Sequence, residues 1–377
     1  MTDLETALEG RRILVVCGSG GVGKTTTAAA LALQAALLGR RVLVCTIDPA
    51  RRLATSLGLG QLSGKPRALD IGRFGVGTEG SLWAMMLDSQ RTFDALVERH
   101  APSDEAKRRI LENGFYRQVS AALAGSHEYM AMEKLLDLVS DQRFDLVVLD
   151  TPPTRHALDF LEAPERLMGF LDAGVLRWFL KPYFVAGRLT LKVATRTGAM
   201  ALRLVDRYLG LQFLQDLSEF FLAFEDLYAG FKERAARVHA LLRDGDSGFV
   251  LVASPARQAL DEALYFYRRL NEKKMPFVAF VVNRVHTDPA YSRGPGGRSV
   301  DVDPALSRAL VGILRDQQVL ARVERRAIAR LEVDASQPLL LVPEQEADVH
   351  DLRGLKDVGE AMLASAAETG RARRRSV

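Results

Sequence analysis

The sequence predicts an α/β fold, a mostly parallel doubly wound sheet with helices on both faces and an inserted α-helical subdomain. Two observations predict this fold. Short apolar runs alternate with segments of helical period along most of the 377 residues, and two long helical stretches interrupt the alternation. With 48% hydrophobic and 26% charged residues, the composition supplies material for a large core. We therefore expect residues 1–377 to form one domain with an insertion.

Seven runs rich in Val, Ile, Leu and Phe define the predicted sheet. Each is too short for a helix and too continuous for a strand with one wet face, so each is predicted to be a strand buried on both faces, as in parallel sheets. The predicted strands are Ile13–Cys17, Val42–Ile47, Leu82–Leu87, Leu146–Leu149, Phe249–Ala253, Phe277–Val282 and Leu339–Val342.

Two segments without strand signals, 90–140 and 165–245, are predicted to form the helical subdomain. The second carries one apolar helical stripe. The stripe comprises Phe213, Leu217, Phe220, Phe224, Leu227 and Phe231. It indicates either an internal core or a groove for a hydrophobic client. Between Asp288 and Val302, a stretch rich in Gly, Pro, Ser and Arg predicts a mobile surface loop.

Charge and cysteine content limit the function classes. The net charge of +4 is small for 377 residues, and the basic tail at 366–377 is predicted to be disordered. Nucleic acid is therefore not expected as a partner. Both cysteines, Cys17 and Cys45, lie in predicted strands and are expected to be core residues. No apolar stretch approaches the roughly 20 residues of a membrane span, and the first residues do not resemble a signal peptide. We expect a cytoplasmic protein.

The segment after the first predicted strand is a phosphate-binding loop. It has the pattern GxxxxGKT between a strand and an Ala/Leu-rich helix. The expected nucleotide-binding residues here are Gly18, Ser19, Gly20, Gly21, Val22, Gly23, Lys24, Thr25 and Thr26. Glycines let backbone N–H groups surround phosphates at the positive end of the helix. Lys24 is placed to neutralise the β- and γ-phosphates, and the Thr25 hydroxyl to ligate Mg²⁺. The predicted class is a P-loop NTPase.

Two aspartates complete this site. Asp48, before Pro49 at the end of the second strand, can hold Mg²⁺ or orient the attacking water; by itself it could also be a helix N-cap. Asp150 ends the strand in FDLVVLD and is Walker-B-like, with a role on Mg²⁺ through water. Thr151, Pro152 and His156 follow it, where they can sense the γ-phosphate.

The segments GSGGVGKTTTAAALAL, TIDPARRLATSLGL, LDTPPTRHALDFL and VVNRV resemble one ATPase family. The family contains arsenite-pump (ArsA) ATPases and the ATPases that target tail-anchored membrane proteins, and the resemblance runs from about Arg12 to Glu346. It implies that the loop binds ATP, that Asp48 activates water and that Asp150 to His156 form the second switch. It also implies that Asn283 reads adenine and that Pro343 to Gln345, including Glu344, flank the base.

The sequence departs from the family pattern in three ways. Ser19 stands where related ATPases have a lysine that reaches the partner's nucleotide, so arginines (Arg51, Arg52 or Arg155) or a paralogous partner must supply that contact. The dimer-bridging CxxC motif and the metalloid-binding cysteines are missing, so neither zinc nor metalloid stimulation is expected. His127 is expected to cap or pack. The chain is one ATPase half where the pump has two, which implies a homodimer or a heterodimer with a paralogue.

The favoured function is Mg²⁺-dependent ATP hydrolysis by a dimer with Lys24 and Asp48 as catalytic residues. Nucleotide state would be coupled to a helical subdomain that binds a hydrophobic client or partner protein. One alternative is a MinD- or ParA-like positioning ATPase that acts through the C-terminal helix and tail, although that helix can equally pack on the sheet. Another is the energising subunit of an anion pump. A small-molecule kinase is disfavoured because no acceptor-binding motif accompanies the switches.

Overall fold

Eight strands form one sheet in the computed structural model. The structure describes residues 8, 10–48, 52–74, 80–114, 116, 126–152, 230, 233–288, 303–334 and 338–375. The strands are β1 Ile13–Gly18, β2 Arg41–Thr46, β3 Arg67–Leu69, β4 Ser81–Met86, β5 Leu146–Asp150, β6 Ser247–Ala253, β7 Phe277–Val285 and β8 Leu339–Pro343. Their order is β3-β4-β2-β5-β1-β6-β7-β8, and only the β3–β4 pair is antiparallel.

All seven predicted strands are confirmed, and their long apolar runs are buried from both sides of the sheet. The strand that sequence reasoning missed is β3, which pairs with β4 at the edge of the sheet. It has three residues, of which Arg67 and Ala68 are exposed, so it produces no apolar run. Because the other strands are parallel, their carboxyl ends lie along one edge of the sheet, where α/β proteins bind ligands.

Eight helices with defined bounds accompany the sheet in the described parts of the chain. They are α1 Lys24–Leu37, α2 Arg52–Ser56, α3 Ser89–His100, α4 Asp104–Leu111, α5 Ser126–Ser140, α6 Arg257–Glu272, α7 Pro304–Asp334 and α8 Leu352–Arg375. Residues 233–243 are also helical. No helix in these parts combines the length and the apolar character that crossing a membrane requires.

The last helix, α8, packs against the sheet and against α1. Its buried side chains recur at helical spacing: Leu352, Leu355, Val358 and Met362. The backbone N–H of Leu341 in β8 donates to Ser365 Oγ at 2.9 Å. This confirms the interpretation that α8 is a packing helix. The sequence predicts a disordered tail from residue 366, whereas α8 continues to Arg375.

Two compact units divide the chain. The first contains Met1–Leu87, Asp137–Leu158 and Leu241–Val377, and therefore the whole sheet. The second contains Asp88–Leu136 and Asp159–Ala240, which overlap the segments 90–140 and 165–245 that the sequence predicts as an insertion.

The second unit has a core of its own. The buried cluster comprises Leu96, Val97, Ile110, Tyr116, Tyr129, Met130 and Ala235. Glu133 is buried among these helices and accepts from Arg234 Nε and from the Tyr129 hydroxyl, both at 2.5 Å. The apolar stripe predicted at 213–231 and the loop predicted to end at Val302 lie outside the described residues, apart from Asp288 of the loop. His127 is in the first turn of α5, and its side chain is also outside them.

Candidate nucleotide site

The loop between β1 and α1 requires glycine at two positions. Gly18 has φ +154°, and a Cβ there would lie 2.1 Å from the carbonyl oxygen of Val252 in β6. Gly23 has φ +93°, and a Cβ there would lie 2.1 Å from Asn283 Nδ2 in β7. The GxxxxG spacing therefore follows from two close approaches of the loop to neighbouring strands.

The first turn of α1 is open to an anion. Gly23 is the N-cap residue in a left-handed conformation, and no described side chain caps the helix. The backbone bonds of the helix begin with Thr27 N–H to the Gly23 carbonyl at 2.9 Å. Free first-turn N–H groups and the helix dipole both favour a negative group here. Gly20 and Gly21 of the loop are exposed, whereas Val22 is buried.

Lys24, the first residue of α1, is a buried cation. Its side chain turns back along the loop, and Nζ donates to the Ser19 carbonyl oxygen at 2.7 Å. Burial lowers the pKa of Lys24, while the charge of Asp150 opposes that change. A buried ammonium with one hydrogen bond has two further protons to donate, which suits an incoming phosphate.

Asp150, at the end of β5, is fully buried and joins two neighbouring elements. Its Oδ2 accepts from Thr25 Oγ1 of α1 at 2.9 Å and from Thr46 Oγ1 of β2 at 2.8 Å. Oδ1 is also buried and has no hydrogen-bond partner among the described residues. Burial raises the pKa of Asp150 to about 6, against the lowering effect of the two threonine hydroxyls and of Lys24.

The unpartnered Oδ1 provides a test of whether Mg²⁺ fits. Mg²⁺ is bound by one or two carboxylates, waters and phosphate oxygens rather than by a complete protein cage. The described residues contain no cluster of three or more His, Cys, Asp or Glu side chains that could hold a metal ion by itself. The Asp150 carboxylate has one unpartnered oxygen, and the Thr25 hydroxyl contacts its other oxygen. A carboxylate and a hydroxyl are oxygen ligands of the kind that Mg²⁺ uses together with phosphate, so the residues fit the ion.

Asp48 lies two residues beyond the end of β2. Its backbone N–H donates to Thr46 Oγ1 at 3.2 Å, and its side chain is mostly buried. Arg52 NH1 lies 3.9 Å from Asp48 Oδ2, but the arginine side chain is largely exposed, so this pair is weak. Pro49 and Arg51 lie outside the described residues.

The two described residues after Asp150 differ from each other. The Thr151 hydroxyl is buried and donates to the carbonyl oxygen of Val16 in β1 at 2.8 Å, so it ties β5 to β1. Pro152 is half-buried. Arg155 and His156 lie outside the described residues. Cys17 is beside Thr151, and burial raises the pKa of its thiol to about 12, as expected for a core cysteine.

The residues expected at the base lie on neighbouring strands. Asn283 Nδ2 donates to the carbonyl oxygen of Val22 at 3.0 Å, so the asparagine contacts the phosphate loop directly. Pro343 ends β8 opposite Val285, and Glu344 N–H donates to the carbonyl oxygen of Val285 at 3.1 Å. The structure therefore brings Asn283 to the phosphate loop and holds Glu344 one strand away from it.

Sequence reasoning missed Thr46 in this site. Its hydroxyl donates to Asp150 and accepts from the backbone of Asp48, so it connects the two predicted aspartates. A hydroxyl residue at a strand end, two positions before an aspartate, is the signal that could have identified it. The sequence analysis also does not identify His286 and Glu324. These two residues contact each other in the fold although they are 38 residues apart in the chain.

Comparison with known proteins shows which family the chain belongs to. The family model for anion-transporting ATPases (ArsA_ATPase) matches residues 11–293. The chain is similar to ATPase get3 of Aspergillus terreus and to ATPase GET3 of Paracoccidioides lutzii, each 28% identical over 276 residues that cover 73% of both chains. It is 33% identical to ATPase GET3 of Podospora anserina over 167 residues, 44% of this chain and 47% of that protein. The chain is therefore an ATPase and belongs to the anion-transporting ATPase (ArsA) family.

Proposed function

We propose that this ATPase hydrolyses ATP with Mg²⁺ as a dimer and couples its nucleotide state to the second unit, which binds a hydrophobic client or partner protein in the cytosol. The observation that carries the hydrolytic part is the Asp150 carboxylate. One of its oxygens is held by Thr25 and Thr46, and the other is buried without a described hydrogen-bond partner. A fully buried carboxylate with an unpartnered oxygen is costly unless a ligand completes its interactions.

The proposed roles follow from position. The first-turn amides of α1 and Lys24 hold the β- and γ-phosphates, and Lys24 exchanges the Ser19 carbonyl for phosphate oxygen. Thr25 and Asp150 are the residues that would hold Mg²⁺. When bound, Mg²⁺ supplies charge neutralisation on the transferred phosphoryl group. Asn283, Pro343 and Glu344 are proposed to lie beside the adenine base of the nucleotide.

Asp48 is the proposed residue that positions the attacking water. Its carboxylate is mostly shielded from solvent, and its backbone is held two residues beyond β2 by the N–H bond to Thr46 Oγ1. Phosphoryl transfer needs orientation and charge stabilisation more than strong base chemistry. Thr151 and Pro152, with His156, are proposed to report the γ-phosphate to the second unit.

Two variants test this assignment. Lys24→Ala should lower turnover at least about a hundredfold because it removes the cation that stabilises the transferred phosphoryl group. Asp48→Asn should keep ATP bound but slow its hydrolysis by a similar factor. Lys65→Ala changes an exposed lysine and is the control. Wild-type turnover by Asp48→Asn at saturating ATP would remove Asp48 from the mechanism.

The dimer and client proposals are supported by the resemblance of four motifs to ATPases that target tail-anchored proteins. Ser19 carries no side chain that could reach across a dimer as a lysine does. We therefore propose that a paralogue or an arginine supplies that contact. The mass and the ATPase rate of the chain, purified alone and with a co-expressed paralogue, distinguish a homodimer from a heterodimer. A monomer under both conditions with ATP present would contradict dimerisation.

Anion transport is the second candidate, since it is the activity in the family description. The chain has two cysteines, Cys17 and Cys45, and both are buried in strands, where a metalloid cannot reach them. We expect the ATPase rate to stay constant across arsenite and antimonite titrations. Stimulation by either anion would favour the pump.

A further inference from the structure

The end of β7 departs from regular strand geometry directly after Asn283. Arg284 has φ +63°, a left-handed conformation that is unfavourable for a residue with a side chain. The register with β8 shifts at this point, since Asn283 is opposite Val342 and Val285 is opposite Pro343. Such a bulge changes the direction of the side chains that follow it, and strained backbone of this kind is held by its surroundings.

His286 follows the bulge and contacts a buried carboxylate on α7. Its ring nitrogen Nδ1 lies 2.8 Å from Glu324 Oε1, and its backbone N–H donates to Glu324 Oε2 at 2.9 Å. Glu324 is 9% exposed. A carboxylate this deeply buried needs partners for both oxygens, and His286 provides one for each. The contact fixes the ring plane of His286 relative to α7.

The other ring nitrogen of His286 contacts the segment after β8. Nε2 lies 2.8 Å from Glu344 Oε2, and the Glu344 side chain is 50% exposed. Each ring nitrogen of His286 therefore lies at hydrogen-bond distance from one carboxylate, Nδ1 from Glu324 and Nε2 from Glu344. The half-exposed glutamate gains little from burial, so the main consequence of this contact is the position of Glu344.

We propose that His286 is a positioning residue for the nucleotide base, which holds Glu344 and the adjoining Pro343 beside Asn283 and anchors them to α7 through Glu324. The proposal rests on the proposed function, in which Pro343 and Glu344 flank the base. It gives a role to His286 that does not follow from membership of the family. The affinity for the adenine nucleotide then depends on the contact of Nε2 with Glu344, and the packing of α7 depends on the contact of Nδ1 with Glu324.

Two conservative variants separate these contacts. The amide nitrogen of Asn takes a position near Nδ1 of histidine, and that of Gln takes a position near Nε2. His286→Asn therefore keeps a donor for Glu324 and loses the one for Glu344. We expect His286→Asn to raise the KM for ATP and the Kd for a fluorescent ATP analogue about fivefold to tenfold. Its turnover at saturating ATP and its Tm should stay near the wild-type values.

His286→Gln should show the opposite pattern, with KM within about twofold of wild type and a lower Tm, because the buried Glu324 loses its ring partner. His350→Leu is the matched control: this exposed histidine contacts the Asp348 carbonyl in its own loop, so its KM should not change. The positioning role is wrong if KM follows Tm across the variants, or if His286→Asn binds the analogue like wild type. Failure of the proposed function is distinct, since wild type would then not bind the analogue.

Discussion

At the scale of single residues, Asp150 links function to stability. The carboxyl is protonated in both folded and unfolded chains below about pH 3.8. Between 3.8 and about 6 it ionises only in the unfolded chain, so stability falls as pH rises and the penalty is complete above about 6. A difference of this size corresponds to about 3 kcal/mol.

Asp150→Asn should therefore raise the free energy of unfolding in EDTA by roughly 1 to 3 kcal/mol at pH 8. The gain should shrink as pH falls from 6 towards 4, because the wild-type carboxyl then becomes neutral in the folded state. Denaturant unfolding at several pH values measures it. Added Mg²⁺ and ADP should stabilise wild type more than the variant, because the variant loses the carboxylate proposed to hold Mg²⁺. A gain that is equal at pH 5 and pH 8 would show that the charge of Asp150 is not its cause.

Two loop glycines differ in a way that permits a matched comparison. Gly21 and Gly23 both have left-handed φ angles, +78° and +93°, but a Cβ at Gly21 meets nothing within 4 Å, whereas one at Gly23 meets Asn283. Gly21→Ala should cost about 1 kcal/mol of backbone strain alone. Gly23→Ala should cost about 1 kcal/mol more, because Asn283 must give up its hydrogen bond to Val22.

Urea unfolding of the two glycine variants, each with and without Asn283→Ala, measures this difference as a double-mutant cycle. Asn283→Ala should abolish the extra cost of Gly23→Ala and leave the cost of Gly21→Ala unchanged. If the two glycine substitutions cost the same with and without Asn283→Ala, Asn283 does not contribute to the cost of Gly23→Ala.

The sequence identifies some residues of the site and not others, and the reason is physical. Lys24 and Thr25 belong to one short segment whose chemistry is local, so their spacing alone identifies them as candidates. Thr46 and His286 act through contacts with Asp150 and Glu324, which only the folded sheet brings near. A sequence pattern records neighbours along the chain, and these partners are not neighbours.

At the scale of elements, the strands with a local apolar signal are predicted correctly, whereas β3, which is recognised only by its pairing with β4, is not predicted. A strand buried on both faces is apolar along nearly its whole length, so β1 and β5 are recognisable in the sequence as apolar runs. The edge strand β3 pairs with β4 on one side only and exposes Arg67, so its composition carries no comparable signal. The sequence of α8 permits two interpretations, because an apolar stripe can pack on a sheet or bind a membrane surface.

The packing of α8 makes a prediction that separates those readings. Leu355 is fully buried, so Leu355→Ala should lower the free energy of unfolding by about 2 to 5 kcal/mol. Leu306→Ala on α7 is the control, because that leucine is 53% exposed and its loss should cost less than about 0.5 kcal/mol. Thermal or urea unfolding gives both values.

Deletion of residues 371–377 should leave binding to anionic vesicles and to DNA unchanged, because the apolar face of α8 is already used against the sheet. If wild type binds either surface and the deletion abolishes binding, the positioning-ATPase alternative regains support even where Leu355→Ala destabilises the chain. The two experiments therefore address the helix and its tail independently.

At the scale of the whole molecule, the chain alternates between the two units close to the proposed switches. It enters the second unit after Leu87, which follows β4, and enters it again after Leu158, eight residues beyond Asp150. Under the proposed function, a change at Asp150 to Pro152 on binding of a γ-phosphate would reach the second unit along a short stretch of chain. The buried strands of the first unit are not expected to respond in this way.

Hydrogen exchange with ADP and with a non-hydrolysable ATP analogue tests this coupling. We expect the amides of α3 and α4, in the second unit, to change protection between the two nucleotides, because their unit is joined to the switch segment. The buried strands β1 and β6 should exchange equally slowly in both states and serve as the internal control. Lys24→Ala should remove the difference in α3 and α4, since it disables the phosphate site without touching either helix. Identical exchange with both nucleotides in wild type, under conditions where both are bound, would mean that the second unit does not sense the γ-phosphate.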